Sequence, residues 1–355
     1  MESSILYKNN KQREHTKKNS LPFILFVFSA FVVFFFIGFR GDVNTDWSTY
    51  QSHYYNLDSE KLNFGPEFLF WFSMWLTKSL GFSYPDFILI SSLINIMLII
   101  IIFKNEKYRI LALILYLVFS GGLGFRLDFN LQRNIKSILL FAFSIRYIES
   151  RQFGRYALVN IIGSFFHITS LLYLPLYFIL NKKISTKFLY IIFLGGNIVY
   201  IANLQWLSTF ISFISIYLPE RLNYLAVVYS ESEIFNQSKQ FSAGYIEKNL
   251  LFLSAILFYK KTINLNEKYT EISANLVFIF CFIQMYCSDM IIITDRLALL
   301  FLPGFWFYYC RVYASLSYKS KAYFIVVLLL FIAMKHFAIP SPSYLKYETI
   351  IFSDY

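Results

Sequence analysis

Two ionisable residues interrupt otherwise apolar stretches in the middle of the sequence. Arg133 opens one apolar run and His167 lies inside a second, within residues 126–175, RLDFNLQRNIKSILLFAFSIRYIESRQFGRYALVNIIGSFFHITSLLYLP. A charged residue near the centre of a membrane helix costs about 3 kcal/mol, so it usually faces a bundle interior or a water-filled cavity. A histidine there can serve as a general base and an arginine can bind phosphate. The simpler alternatives are that Arg133 snorkels to a lipid headgroup and that His167 fills a core position.

Carboxylates and further arginines follow the first apolar run and recur later in the chain. Three carboxylates could accept a proton from a hydroxyl group: Asp42, Asp46 and Glu67. Planar guanidinium groups suit bidentate phosphate binding, and five arginines lie near predicted helix ends: Arg40, Arg126, Arg133, Arg221 and Arg296. Local ion pairing, for example Asp295 with Arg296, is the alternative and contributes little at an exposed position.

The composition is that of a helical membrane protein. Of 355 residues, 57% are hydrophobic and only 15% are charged, whereas a soluble domain carries about 25% charged residues. We therefore predict an all-α, polytopic integral membrane bundle with a single transmembrane domain over residues 1–355. The net charge of +11 does not indicate nucleic-acid binding, because the basic residues fall in short loops, where they set orientation. The three cysteines, Cys281, Cys287 and Cys310, lie in apolar segments and are predicted to be core residues.

The distribution of basic residues predicts which loops lie on which face. The basic N-terminus, residues 1–20, is expected in the cytoplasm. Residues 40–66 and 205–243 are then expected as periplasmic loops, the second being the larger. A short helix is predicted through WSTYQSHYYN, with Thr45 or Asp46 as its N-cap.

Two apolar runs cannot both be simple spans if later basic residues are to stay inside. Residues 67–80 are therefore predicted to be re-entrant or interfacial, and residues 156–180 to break near residues 167–169. The whole pattern gives about eleven or twelve helical segments. Four polar residues recur at helical spacing and are predicted to form one polar stripe: Arg126, Asn130, Arg133 and Ser137.

Several short motifs, taken in order, resemble the EpsG/Wzy-type polysaccharide polymerases. QRNIKSILLFAFSIRYIESRQFGRYALVNIIGSFFHITSLLYLPL is similar to the family's Arg-led helix, basic turn and "fHxsallxlP" run. FRGDVNTDWSTYQSHYY and GPEFLFWF resemble its first outer loop, an Arg followed by "GxDxxxY" and "Exxf", which takes in Tyr50 and Glu67. TDRLALLFLPG resembles its late "eRxxxyf" helix, which takes in Asp295 and Arg296.

The resemblance implies an O-antigen polymerase, a membrane glycosyltransferase of lipopolysaccharide synthesis. It would move a growing glycan from an undecaprenyl-pyrophosphate carrier to the non-reducing end of the next lipid-linked repeat unit, at the periplasmic face of the bacterial inner membrane. The bundle would resemble lipid-sugar glycosyltransferases that need no metal or other cofactor, with periplasmic loops forming the site. The ligands would be lipid-linked oligosaccharide and membrane lipid, and a chain-length regulator and a flippase are implied as partners.

On this interpretation, two sets of residues form the site. The catalytic residues would be His167, Arg133, Arg296, Asp42 and Asp46. The substrate-binding residues would be Arg40, Arg126, Arg221, Glu67, Tyr50 and Asp295.

Three alternatives stay open from the sequence. A flippase or transporter of the same lipid-linked oligosaccharide is one, although paired repeats and mid-membrane charges, which transporters often show, are not clear here. An O-antigen ligase would use similar chemistry with another acceptor, and a membrane acyltransferase could use His167. The sequence lacks DxD, HExxH, P-loop and GxSxG motifs, which argues against a cytoplasmic nucleotide-dependent enzyme.

Overall fold

The computed structural model describes residues 20–43, 46–58, 62, 67–119, 126–215, 217, 223, 241–263, 267–338 and 349. These residues form sixteen α-helices and one 3-10 helix. Arg40 and Thr349 also form an isolated antiparallel β-bridge. The predicted all-α class is confirmed. The helices outnumber the predicted segments because several apolar runs are broken into shorter pieces.

The chain divides into two compact units. Unit 1 comprises Met1–Ser144, Ala157–Tyr173 and Pro340–Tyr355. Unit 2 comprises Ile145–Tyr156 and Leu174–Ile339.

Unit 1 is built from the first half of the chain. Its helices are α1 (Ser20–Gly38), α2 (Asp46–Asn56), α3 (Phe68–Ser79), α4 (Tyr84–Phe103), α5 (Arg109–Phe119) and α6 (Arg126–Asn130). It also contains most of α7 (Gln132–Glu149) and α8 (Phe153–Ser164), and the 3-10 helix Ile168–Tyr173. Helix α1 packs along α4 and α5, while α2 packs against α3, α4 and α6. Helix α4 begins with a capping box, in which Ser83 and Asp86 satisfy each other's backbone amides.

Helix α2 is amphipathic, and its apolar face forms an aromatic core. Trp47, Tyr50 and Tyr54 follow one another at spacings of three and four residues, so they share one face, and all three are buried. They pack with Phe70, Met74, Tyr84, Phe87 and Ile88 from α3 and α4. The helix predicted through this segment is confirmed, and its buried aromatic face anchors it to α3.

Unit 2 is built around one central helix. Its helices are α9 (Leu176–Ile179), α10 (Thr186–Ile201), α11 (Trp206–Ser215), α12 (Ala243–Ile263), α13 (Lys268–Tyr286), α14 (Ile291–Leu299), α15 (Pro303–Ser315) and α16 (Tyr318–Ala338). Helix α13 packs against α10, α12, α14 and α15. Helix α15 approaches it closely because Gly304 has no side chain: a Cβ there would lie 2.6 Å from Leu276 Cβ and 2.8 Å from Val277 N. The three cysteines are buried and free, as predicted for core residues.

Two helices are apolar and long enough to cross a membrane, Leu21–Gly38 and Tyr84–Phe103. Two bent pairs also qualify if each pair counts as one span, which gives up to four among the described residues. One pair is Thr186–Ile201 with Trp206–Ser215, bent by 82°, and the other is Ile293–Leu299 with Pro303–Ser315, bent by 53°. The second bend precedes Pro303, which starts a helix well but cannot continue one.

Candidate active site

Four of the predicted site residues come together in unit 1: Tyr50, Glu67, Arg133 and His167. Arg133 donates from Nη1 to Glu67 Oε2, and from Nε to Tyr50 Oη at 3.1 Å. His167 Nδ1 lies 3.4 Å from Glu67 Oε1. The Glu67 carboxylate therefore joins an arginine on one side to a histidine on the other. We term these four residues the Glu67 cluster.

Backbone hydrogen bonds fix the position of Glu67. It directly precedes α3 and adopts a left-handed conformation, with φ 67° and ψ 16°. The first amides of a helix have no partner within the helix. At α3, the carbonyl oxygen of Phe165 accepts from Leu69 N at 2.9 Å and from Phe70 N at 3.3 Å. The start of α3 is thus attached to the segment that holds His167.

His167 lies where the chain leaves helix α8. That helix ends at Ser164, His167 N donates to Gly163 O at 3.0 Å, and the 3-10 helix Ile168–Tyr173 follows. A side chain at position 163 would clash with Ser170 Oγ, so Gly163 lets the 3-10 helix fold back against α8. The predicted break near residues 167–169 is confirmed, and it presents His167 at an end of regular helix.

The imidazole of His167 has two partners for the same nitrogen. Nδ1 lies 3.3 Å from both the amide nitrogen and Oγ1 of Thr169, and 3.4 Å from Glu67 Oε1. An unprotonated Nδ1 accepts from the Thr169 amide, whereas a protonated Nδ1 donates to the Glu67 carboxylate. The second arrangement makes Nε2 the basic nitrogen, with Glu67 orienting the ring and stabilising a positive charge on it.

The Glu67 cluster is largely shielded from solvent but still accessible. The side chains of Glu67, His167 and Arg133 are 14%, 18% and 32% exposed. Burial raises the pKa of the Tyr50 hydroxyl, while the neighbouring Arg133 guanidinium opposes that rise. Tyr50 therefore keeps its proton at neutral pH and serves as a hydrogen-bond partner.

Aromatic rings flank the arginine of the cluster. Arg133 Cζ lies 5.8 Å from the ring centroids of both Tyr50 and Trp71. The His53 ring lies 5.6 Å from the Trp71 ring in an edge-to-face arrangement. Sequence reasoning missed Trp71 as a site residue. Its position in the sequence, four residues after Glu67 in GPEFLFWF, is the signal that could have found it.

A second group of ionisable residues is buried in unit 1, and Arg40 belongs to it. Arg40 is 3% exposed and donates to Ile37 O at 2.7 Å and to Asp128 O at 3.2 Å. Tyr116 donates to Asp128 Oδ2 at 2.5 Å, and Lys136 donates to Ser91 Oγ at 2.5 Å. We term Arg40, Asp128, Lys136 and Tyr116 the Asp128 cluster.

Burial raises the pKa of the Asp128 carboxyl to about 6, while the Tyr116 hydroxyl and the positive charges of Arg40 and Lys136 oppose the rise. The structure thus brings the predicted substrate ligand Arg40 to a buried carboxyl group and to backbone carbonyls.

Four other predicted site residues have contacts or exposures of their own. Asp46 begins α2, close enough to Tyr50 for its charge to oppose ionisation of the hydroxyl. Asp42 is exposed. Asp295 accepts from Gln284 Nε2 at 3.2 Å in unit 2, and Arg296 is exposed in the same helix, so their role beside Arg133 stays a prediction.

Two of the predicted arginines fall wholly or partly outside the described structure. Arg126 begins α6, but its side chain is outside the described part, and Arg221 lies outside the described residues altogether. The four positions of the predicted polar stripe do not lie on one continuous helix, because the chain leaves helical geometry at Leu131, between α6 and α7. Across the described ranges, no group of three or more His, Cys, Asp or Glu side chains could hold a metal ion.

The apolar helices and the partly buried cluster of ionisable side chains define this chain as a membrane protein with a polar site. The EpsG family model matches residues 23–349, nearly the whole chain, and the chain therefore belongs to the EpsG family. This membership indicates a polymerase-type membrane enzyme. Comparisons with curated proteins and with solved structures gave no significant match.

Proposed function

We propose that this chain is a polysaccharide polymerase that transfers a glycan from undecaprenyl pyrophosphate to a hydroxyl group of the next lipid-linked repeat unit. The observation that carries the proposal is the Glu67 carboxylate held between Arg133 and His167. This arrangement places a candidate base and a candidate phosphate ligand on one carboxylate. Family membership supports the same reaction class.

In the proposed reaction, the acceptor hydroxyl attacks the anomeric carbon of the sugar bound to pyrophosphate. A new glycosidic C–O bond forms, and the bond from the anomeric carbon to the pyrophosphate oxygen breaks. His167 Nε2 takes the hydroxyl proton, and Glu67 stabilises the resulting imidazolium through Nδ1–H. The lipid pyrophosphate leaves with the electron pair of the broken bond.

Arg133 is the proposed ligand of the leaving pyrophosphate. A guanidinium has five N–H donors, and the bonds to Tyr50 and Glu67 use two of them. The remaining donors and the 32% exposure of the side chain allow contact with phosphate oxygens. Tyr50 and Glu67 hold the guanidinium in place, so charge stabilisation requires little reorganisation.

The proposal also places the reaction at the periplasmic face of the inner membrane. The basic N-terminal residues 1–20 support that orientation through the positive-inside rule. A lipid-linked donor is available there without a nucleotide. A flippase would supply the donor, and a chain-length regulator would act on the product.

The test is a reconstituted polymerisation. Purified protein in liposomes receives lipid-linked repeat units, and products are resolved as a ladder of lengths. We expect a ladder with the native chain and a rate lower by about 100- to 10,000-fold for His167→Gln and Glu67→Gln at equal protein amounts. Absence of a ladder from the native chain would overturn the polymerase, and translocation of the repeat unit without lengthening would identify a flippase. Full activity of His167→Gln would show that His167 is not the general base.

A further inference from the structure

Trp71 occupies the edge of the Glu67 cluster. It lies in the first turn of α3, and its backbone amide donates to Glu67 O at 3.3 Å, which fixes it directly beside the residue that centres the cluster. The Trp71 ring is partly exposed, whereas the neighbouring Phe70 is fully buried in the aromatic core. Trp71 therefore packs against that core while part of its ring stays accessible beside the cluster.

Trp71 contacts charged and polar groups as well as apolar ones. The Arg133 guanidinium lies 5.8 Å from its ring centroid, and the exposed His53 ring lies 5.6 Å from it. Tyr50 and His53 are three residues apart on α2, so both project toward the same side. The aromatic ring of Trp71 therefore lies next to the positively charged Arg133, which in turn bonds the negatively charged Glu67.

This combination fits the two sides of a sugar ring. One face of a pyranose is covered by C–H groups, which pack well on a flat aromatic ring. The hydroxyl groups at its rim suit charged donors and acceptors such as Arg133 and Glu67. His53 adds a donor or acceptor at the outer side.

We propose that Trp71 and His53 form a sugar-stacking subsite that binds one pyranose ring of the lipid-linked oligosaccharide next to the Glu67 cluster. The inference rests on the proposed function, since it names the part of that substrate which these residues recognise. Trp71 would set affinity for the saccharide part and leave the pyrophosphate to Arg133.

Trp75 provides the matched control. It lies one turn further along α3, is also partly exposed, and packs against Phe72 with ring centroids 5.7 Å apart. If Trp71 only anchored α3 at the membrane surface, substitution of either tryptophan would have the same effect.

The experiment compares two ligands. Equilibrium binding to purified, reconstituted protein is measured for undecaprenyl pyrophosphate bearing the repeat unit and for undecaprenyl pyrophosphate alone. We expect Trp71→Leu to weaken binding of the sugar-bearing lipid about three- to tenfold and to leave the bare lipid unchanged. Trp71→Phe should keep most of the affinity, His53→Ala should lose about twofold, and Trp75→Leu should match the native chain.

Leucine keeps an apolar side chain at position 71, so a purely structural role would tolerate it. Equal weakening for both ligands, or equal effects at positions 71 and 75, would overturn the subsite. The outcome is independent of the polymerase test. A native chain that makes no ladder refutes the function, whereas an active chain whose Trp71→Leu variant binds both ligands normally refutes the subsite alone.

Discussion

The carbonyl oxygen of Phe165 accepts a hydrogen bond from the amide of Leu69 at 2.9 Å. This bond joins the start of α3 to the break after α8. Glu67 lies two residues before Leu69, and His167 lies two residues after Phe165. The distance between the carboxylate and the imidazole is therefore set by backbone as well as by side chains, which suits a site that must keep its geometry through a reaction.

The first prediction concerns the fork of Arg133. Its guanidinium bonds both Tyr50 and Glu67, and a lysine at this position has one nitrogen that cannot reproduce both bonds and the flat phosphate-binding edge. We expect Arg133→Lys to reduce polymerisation by about 100-fold or more. Arg146→Lys, at the other end of α7, is the control and should stay close to native. Product ladders at matched membrane levels measure both, and native-length polymer from Arg133→Lys would refute the role.

The second prediction concerns the break that presents His167. Alanine at position 163 would place its Cβ against Ser170 Oγ, an atom buried without a hydrogen-bond partner in the described structure. We expect Gly163→Ala to destabilise the protein by about 1–3 kcal/mol and to lower activity, because the 3-10 helix must shift.

Ser170→Ala alone should be nearly neutral, since it removes an unsatisfied buried hydroxyl. The double variant should recover much of the loss, because the clashing oxygen is gone. Thermal unfolding and polymerisation are measured for the native chain, the two single variants and the double variant, and the non-additivity gives the coupling energy between positions 163 and 170. Additive effects of the two substitutions would show that the contact between positions 163 and 170 does not control the break.

Part of this site could be predicted from the sequence. Arg133 and His167 stand out because ionisable side chains are rare in apolar runs, and the basic loops required a break near His167. The pairing of Glu67 with Arg133 could not be predicted from spacing, because 66 residues separate them and tertiary packing alone brings them together.

In the fold, too, local sequence patterns predict individual helices, whereas the burial of polar residues depends on tertiary packing. The N-cap candidates Thr45 and Asp46 were sufficient to predict α2, and the spacing of its aromatic residues explains which face is buried. Lys136 and Asp128 were missed because their burial depends on partners from other helices, such as Ser91 and Tyr116. The bend before Pro303 could have been predicted, since proline ends the preceding helical pattern.

The third prediction concerns pH and Asp128. Burial raises its pKa to about 6 in the folded chain, from an ordinary value of about 3.9. A carboxyl group whose pKa is raised by folding stabilises the fold below the unfolded pKa, and this contribution is lost as pH rises through the folded pKa. The native chain should therefore lose up to about 3 kcal/mol between about pH 4 and pH 7 through this group.

Asp128→Asn cannot ionise, so its stability should lack this component. Thermal unfolding in detergent across the same pH range compares the two proteins. Asp42→Asn, which changes an exposed carboxylate, should keep the native pH dependence. An unchanged pH dependence in Asp128→Asn would mean that Asp128 is not the titrating group.

The fourth prediction concerns orientation. Ser52 is exposed on α2, and the three native cysteines are buried, so a thiol introduced there is the accessible one among these positions. We expect Ser52→Cys to react with a membrane-impermeant maleimide from the periplasmic side of intact spheroplasts. The native chain is the control. Labelling that requires access from the cytoplasmic side would contradict the proposed orientation and, with it, a periplasmic position of the site.

The left-handed backbone of Glu67 makes stability and activity favour different residues at this position. Non-glycine residues seldom adopt such a conformation, and it costs about 1 kcal/mol that glycine would avoid. A library screened for thermal resistance alone should therefore enrich glycine at position 67, and those variants should be inactive because they lack the carboxylate. A lineage that retains glutamate at this position accepts a less stable fold in exchange for its chemistry.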